Sequence, residues 1–175
     1  QAAWRLIASS NNRRVRRFTN GATNCSDGLR WCSHCAVCTN TSASALSSLT
    51  RLPSGSNPRT LELARQMQAD PQLSAGGTQA YIDAALQRLR TGGYTYTLEP
   101  GVYGEHTADE FWFDRKAGFC EHIASSFVVL MRALGVPARI VTGYQGGERN
   151  AIDGYWTVRQ SDAHAWTEVW IEGRG

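Results

Sequence analysis

The sequence predicts an α+β fold in which a block of helices is followed by an antiparallel sheet. Two observations carry this. Helical signals dominate residues 57 to 134, and strand-like segments occupy 138 to 171. The connections between those late segments are short, and short connections join antiparallel neighbours.

The elements follow in order from residue 57. Asn57 offers an N-cap with Pro58 at the first helical position, giving a helix to about residue 69 that breaks at Asp70-Pro71. Thr78 opens a second helix with Tyr81, Ile82, Ala85, Leu86 and Leu89 on one face, closed by Gly92-Gly93. Residues 94–98 alternate like a strand, and Asp109 offers the N-cap of a short helix reaching about Phe113. A further helix spans 121–134. Ile123, Phe127, Leu130, Met131 and Leu134 recur at helical spacing, Gly135 stops it and Pro137 prevents its return. Strands are expected at 138–145, 155–160 and 164–171, with Gly146-Gly147 and Asp153-Gly154 in the loop between the first two.

Residues 1–56 read as an N-terminal arm and an irregular Cys-rich linker, and 57–175 as the core domain. One short strand or helix is expected within residues 1–18. Residues 19–50 are polar and aperiodic, a loop expected to add little packing. Residues 1–57 carry seven Arg against one acid, Asp27; residues 58–175 carry eleven Arg or Lys against fourteen Asp or Glu. The cluster Arg13-Arg14-Val15-Arg16-Arg17 is read as a solvated strand or linker. No aromatic interleaving supports a nucleic-acid groove, so no nucleic-acid partner is expected. No stretch approaches the length of a transmembrane helix.

Four of the five cysteines fall in the linker: Cys25, Cys32, Cys35 and Cys38. The spacing of the last three resembles part of an iron–sulfur run, with Cys25 or His34 as a fourth ligand. Zinc fits the ligand count, a disulfide fits an oxidising compartment, and a stretch of non-native sequence over 19–41 fits the abrupt shift in composition. No flanking elements frame a metal knuckle, so neither a metal nor a cofactor is expected.

Cys120 stands apart from these. The run Gly118-Phe119-Cys120-Glu121-His122 leads straight into the helix of 121–134. Unpaired N–H groups and the dipole at a helix N-terminus favour an anion, and the thiolate is the nucleophilic form of cysteine. His164 begins a strand forty-four residues later. A Cys at a helix N-terminus with a His on a later strand is the layout of a cysteine acyl-transfer enzyme. The bland alternatives are a buried small hydrophobe and a histidine satisfied within an aromatic cluster.

Further motifs stand in order around this pair: Phe111-Trp112-Phe113, then Ala133-Leu134-Gly135-Val136-Pro137-Ala138-Arg139-Ile140-Val141-Thr142-Gly143-Tyr144, then Asp162-Ala163-His164-Ala165-Trp166-Thr167-Glu168-Val169. The succession resembles the transglutaminase-like superfamily over residues 58 to 175, and most of all its bacterial membrane-anchored branch, whose transglutaminase domain faces the periplasm. The resemblance implies a papain-like core with a Cys-His-Asp triad and its nucleophile helix packed on an antiparallel sheet. It implies acyl transfer from a glutamine side chain to an amine through a Cys thioester. The expected partners are a protein or peptide carrying glutamine and an amine acceptor. The expected setting is the periplasmic domain of an inner-membrane protein anchored outside this chain.

Within that resemblance Cys120 is the nucleophile and His164 its base. The triad Asp belongs on the strand after the histidine strand, beyond Gly175. The core is therefore expected to be C-terminally truncated and impaired, with one edge of the histidine strand left open. Asp162 is the nearest carboxylate and the stand-in orienter, two residues from His164 on an expected strand. Trp112, Gly118, Phe119 and Trp166 are candidates for a substrate channel, with core packing the competing role of the three aromatics. The Cys120 N–H is a candidate oxyanion donor. His122 is an alternative base, and Glu168 a balance for Arg139 or Arg159. Two other functions stay open: a peptidase or amidase of the same fold acting on protein or cell-wall amides, and an inactive binding domain.

Overall fold

The computed structural model describes residues 3–8, as backbone, and residues 43–172. The element order is β1 (Ala3–Ala8), α1 (Ala43–Ser48), α2 (Pro58–Ala69), α3 (Pro71–Thr91), β2 (Thr95–Tyr96) and α4 (Thr107–Asp109). The last continues as a π-helical turn, Glu110–Arg115. Then come β3 (Ala117–Gly118), α5 (Cys120–Ala133), β4 (Ala138–Tyr144), β5 (Glu148–Arg149), β6 (Trp156–Thr157), a 3-10 turn (Gln160–Asp162) and β7 (Ala163–Ile171). The cysteines 25, 32, 35 and 38 and the arginine cluster lie outside the described residues.

One helix on one sheet makes the centre. Ala124, Phe127, Val128, Leu130 and Met131 of α5 are buried, together with Ala165, Thr167, Val169 and Ile171 of β7. The period of 3.6 on the helix and of 2 on the strand gives each element one apolar face, and the two faces close on each other. Thr167 Oγ1 donates to the carbonyl of Ala124 at 3.0 Å, so the polar atom in this seam is satisfied. β4 pairs antiparallel with β7 from Ala138↔Val169 to Tyr144↔Ala163. β1 pairs antiparallel along the other edge, from Ala3↔Ile171. The sheet order is β1-β7-β4, so the histidine strand is central and the expected open edge is occupied.

The caps differ from the sequence reading in an instructive way. Asn57 and Asp109 are both cap residues, but each caps the other's helix. Asn57 has φ 51°, ψ 56° and makes no side-chain cap to α2. Its Oδ1 instead accepts from Ala108 N at 2.9 Å and Asp109 N at 3.3 Å. Asp109 accepts from Arg59 N at 2.9 Å, Thr60 N at 2.7 Å and Thr60 Oγ1 at 2.6 Å. An N-cap sits in extended backbone to reach its own helix; the left-handed Asn57 cannot, so the two helix starts exchange partners.

Other expectations shift. The second helix begins at Pro71, not Thr78. Asp70 caps it through Gln72 N and Leu73 N, and Gly77 at φ 60° breaks it into two limbs. The strand expected at 94–98 shrinks to β2, paired parallel with β3. The strand expected at 155–160 shrinks to β6, which pairs with β5 in a hairpin outside the main sheet. Gly146 and Gly147, at φ 117° and 156°, turn the chain off β4, and few other residues tolerate the first of these. Residues assigned to the arm also touch the core: Ala138 N donates to Leu49 O at 3.2 Å and Arg132 Nη1 to Arg51 O at 3.2 Å.

Candidate active site

Cys120 is the first residue of α5, with Phe119 as extended N-cap at φ −112°. The first N–H groups of a helix have no partner within it, so the thiol sits beside unpaired donors. The chain reaches this point along β3. Thr97 N donates to Gly118 O at 2.9 Å and Tyr103 Oη to Ala117 O at 2.5 Å.

His164 is the second residue of β7 and faces Gly143 across the pair with β4. The Thr167–Ala124 bond sets the register of strand against helix. Counting back from it, three strand residues cover about 10 Å to His164 and four helical residues about 6 Å to Cys120. Arg132 Nε bonds Ala138 O at 2.9 Å, and Ala138 pairs with Val169, so α5 and β7 run the same way. Cys120 and His164 therefore share one end of the layer, with His164 past the helix tip by roughly 4 Å. The α5-facing set on β7 is Ala165, Thr167, Val169 and Ile171, whereas His164 belongs with Trp166 and Glu168. Burial pushes the His164 imidazole below its usual pKa.

The other candidates separate. Trp112 is a core residue and not a channel wall: it is 0% exposed, and its Nε1 donates to Ser126 O at 3.1 Å. Trp166 is half-buried over Gly143, where a Cβ would stand 3.1 Å from its ring. Gly118 is buried beneath His122, and Phe119 stands edge-on to the His122 ring at 4.5 Å. Asp162 is not on a strand. It ends the 3-10 turn, and its Oδ2 accepts from Arg159 N at 2.8 Å, so same-face geometry does not apply to it. Glu168 pairs with Arg139 at 2.6 Å, not with Arg159, whose guanidinium bonds Glu148.

Sequence reasoning missed the surroundings of His122. Its ring lies 4.6 Å from that of Tyr103, a residue in a loop without period. Its Nδ1 is buried without a hydrogen-bond partner. Burial lowers its pKa, and the neighbouring Glu121 opposes that more weakly. Among the described residues, no three His, Cys, Asp or Glu side chains gather as a metal site. No described helix is long and apolar enough to cross a membrane.

The two histidines set a pH dependence. Both are harder to protonate in the folded chain than in the unfolded one. The unfolded chain therefore binds protons first as pH falls below about 6.5, and stability drops from there down to the folded values. Melting temperature should fall between about pH 7.5 and about pH 5.5. A flat or rising melting temperature over that interval would contradict the burial of these rings.

Comparison with known proteins bears on the same residues. The pattern of the transglutaminase-like superfamily matches residues 63–175. A curated protein-glutamine gamma-glutamyltransferase of Pseudomonas aeruginosa is 44% identical over 128 residues, 71% of this chain and 18% of that protein. The uncharacterized protein YebA of Bacillus subtilis is 34% identical over 101 residues, 54% of this chain and 14% of that protein. The crystal structure of the periplasmic domain of TgpA from Pseudomonas aeruginosa bound to ethylmercury superposes with a TM-score of 0.63 at 41% identity, covering 73% of this chain and 44% of that one. The chain thus spans less than half the length of these relatives, and the superfamily pattern covers more than half of the chain: it belongs to the transglutaminase-like superfamily.

Proposed function

We propose that this domain is a transglutaminase-like cysteine acyltransferase working in the periplasm. Its reaction moves the acyl group of a glutamine side chain to an amine. One observation carries the reading: Cys120 opens α5 at the end of the layer where His164 overhangs. The relative 44% identical to it, a protein-glutamine gamma-glutamyltransferase, supports the reaction class.

The chemistry follows from the side chains. His164 takes the thiol proton, and the thiolate sulfur attacks the side-chain carbonyl carbon of glutamine. The Cys120 N–H, unpaired within the helix, faces the oxygen as negative charge develops. The C–N bond breaks, and the imidazolium returns its proton to the leaving nitrogen, which departs as ammonia. A primary amine then attacks the thioester, His164 takes its proton, and the thiol is restored with an isopeptide bond formed. An imidazole kept neutral by burial is ready to accept that proton.

The test is ammonia release measured beside incorporation of a fluorescent primary amine into a glutamine-bearing peptide. Equal ammonia release and amine incorporation is the expected result. Ammonia release with the glutamine converted to a glutamate residue in the peptide and no incorporation would make the domain an amidase. Neither product would leave a binding domain.

A further inference from the structure

No step above uses His122, although it stands two residues after Cys120 on α5. Its ring is enclosed by groups that all belong to the approach to the nucleophile. Phe119 meets it edge-on at 4.5 Å and Tyr103 lies across it at 4.6 Å. Gly118 runs so close beneath that a Cβ there would stand 2.7 Å from the Cβ of His122 and 3.0 Å from its Cγ. The same short segment is held from its other side by β2, through Thr95 N to Lys116 O at 2.8 Å and Thr97 N to Gly118 O at 2.9 Å. Tyr103 Oη holds Ala117 O from above, and the Arg115 guanidinium covers the Tyr103 ring at 4.9 Å.

We propose that His122 is a positioning residue, whose ring clamps Gly118 and Phe119 onto α5 and so fixes the direction of the Cys120 N–H and thiol. For its effect on turnover this rests on the acyl-transfer reading. The buried Nδ1 has no partner, so the clamp does not work through a hydrogen bond made by that nitrogen. What the segment needs is a flat body of this outline between Phe119 and Tyr103. Burial also holds the ring neutral at neutral pH, which keeps a charge out of an aromatic enclosure. A ring used this way is replaceable by another ring, whereas a general base is not.

Three variants decide it, read by amine incorporation and by the rate of iodoacetamide alkylation at Cys120, located by mass spectrometry of its peptide. His122→Ala should lower kcat by ~10- to ~100-fold with KM little changed, the scale of cost for misplacing a reacting group by about an ångström. His122→Phe should restore the rate to within about threefold and keep the alkylation rate, because the outline returns without the unpaired nitrogen. Phe119→Ala should repeat the His122→Ala loss if the clamp works through this contact, and it covers the case in which His122→Ala fails to fold. A His122→Phe variant as inactive as His164→Ala would assign His122 a proton-transfer role and overturn the proposal. Wild-type rates in both His122→Ala and Phe119→Ala would overturn it too. If the wild-type protein transfers no acyl group, the alkylation rates still test the clamp alone, so the two readings fail separately.

Discussion

Cys120→Ala should abolish amine incorporation, and His164→Ala should reduce it by several orders of magnitude. Removing a nucleophile that acts as a unit with its base leaves only the background from binding and oxyanion stabilisation, and such losses run to roughly 10⁴-fold or more. The two substitutions should not add. Once the sulfur is gone, the imidazole has no proton to take, so the double variant should be no slower than Cys120→Ala. A Cys120→Ala protein that still forms isopeptide product would move the nucleophile elsewhere. Cys32→Ala, in the linker, is the matched control and should keep full activity. The comparison is informative because each change replaces one cysteine, and among the described residues Cys120 opens a helix packed on the histidine strand.

Asp109→Ala should destabilise the domain by about 3–5 kcal/mol, since it leaves three donors without a partner at about 1–3 kcal/mol each when buried. Its carboxylate is 3% exposed and accepts three hydrogen bonds from residues 59 and 60. Without it, two backbone N–H groups and the Thr60 hydroxyl lose their partner in a dry seam. Asp109→Asn retains one acceptor oxygen and should cost less. Asn57→Ala removes the reciprocal cap, so the two losses should be coupled by more than about 0.5 kcal/mol in a double-mutant cycle. Urea denaturation of the four proteins reads this directly. Strict additivity would mean that the two helix starts are independent, and a loss below about 1 kcal/mol for Asp109→Ala would deny the exchanged caps.

The local settings of the candidate residues were legible in sequence because their signals are local. Cys120 announced itself by the helix that follows it, and His164 by the alternation of its strand. Helices α2, α3 and α5 and strands β4 and β7 were legible for the same reason, since period 3.6 and period 2 are written along the chain, whereas α1 lies in a stretch read as loop. The short pieces were less so. β3 and β5 are two residues each, too short for a period to show, and β2 and β6 are the two-residue remnants of longer expected strands.

Partners across long separations were decided only in three dimensions. Asn57 and Asp109 are both legitimate caps by composition, but they stand 52 positions apart in sequence and no local rule says that they exchange helices. Trp112 was an equal candidate for channel and core until the carbonyl of Ser126 met its indole. Asp162 could be placed beside His164 only by assuming a strand, and the backbone there turned into a 3-10 helix instead. The clamp on His122 combines a glycine, a loop tyrosine and a helix start, whose closeness follows from packing and not from spacing. The sequence by itself determined which segments have one apolar face and which side chains carry reactive chemistry, because both are properties of neighbouring residues. Tertiary structure alone decided which faces meet and which buried polar atoms find partners, because those depend on closing long loops around one core.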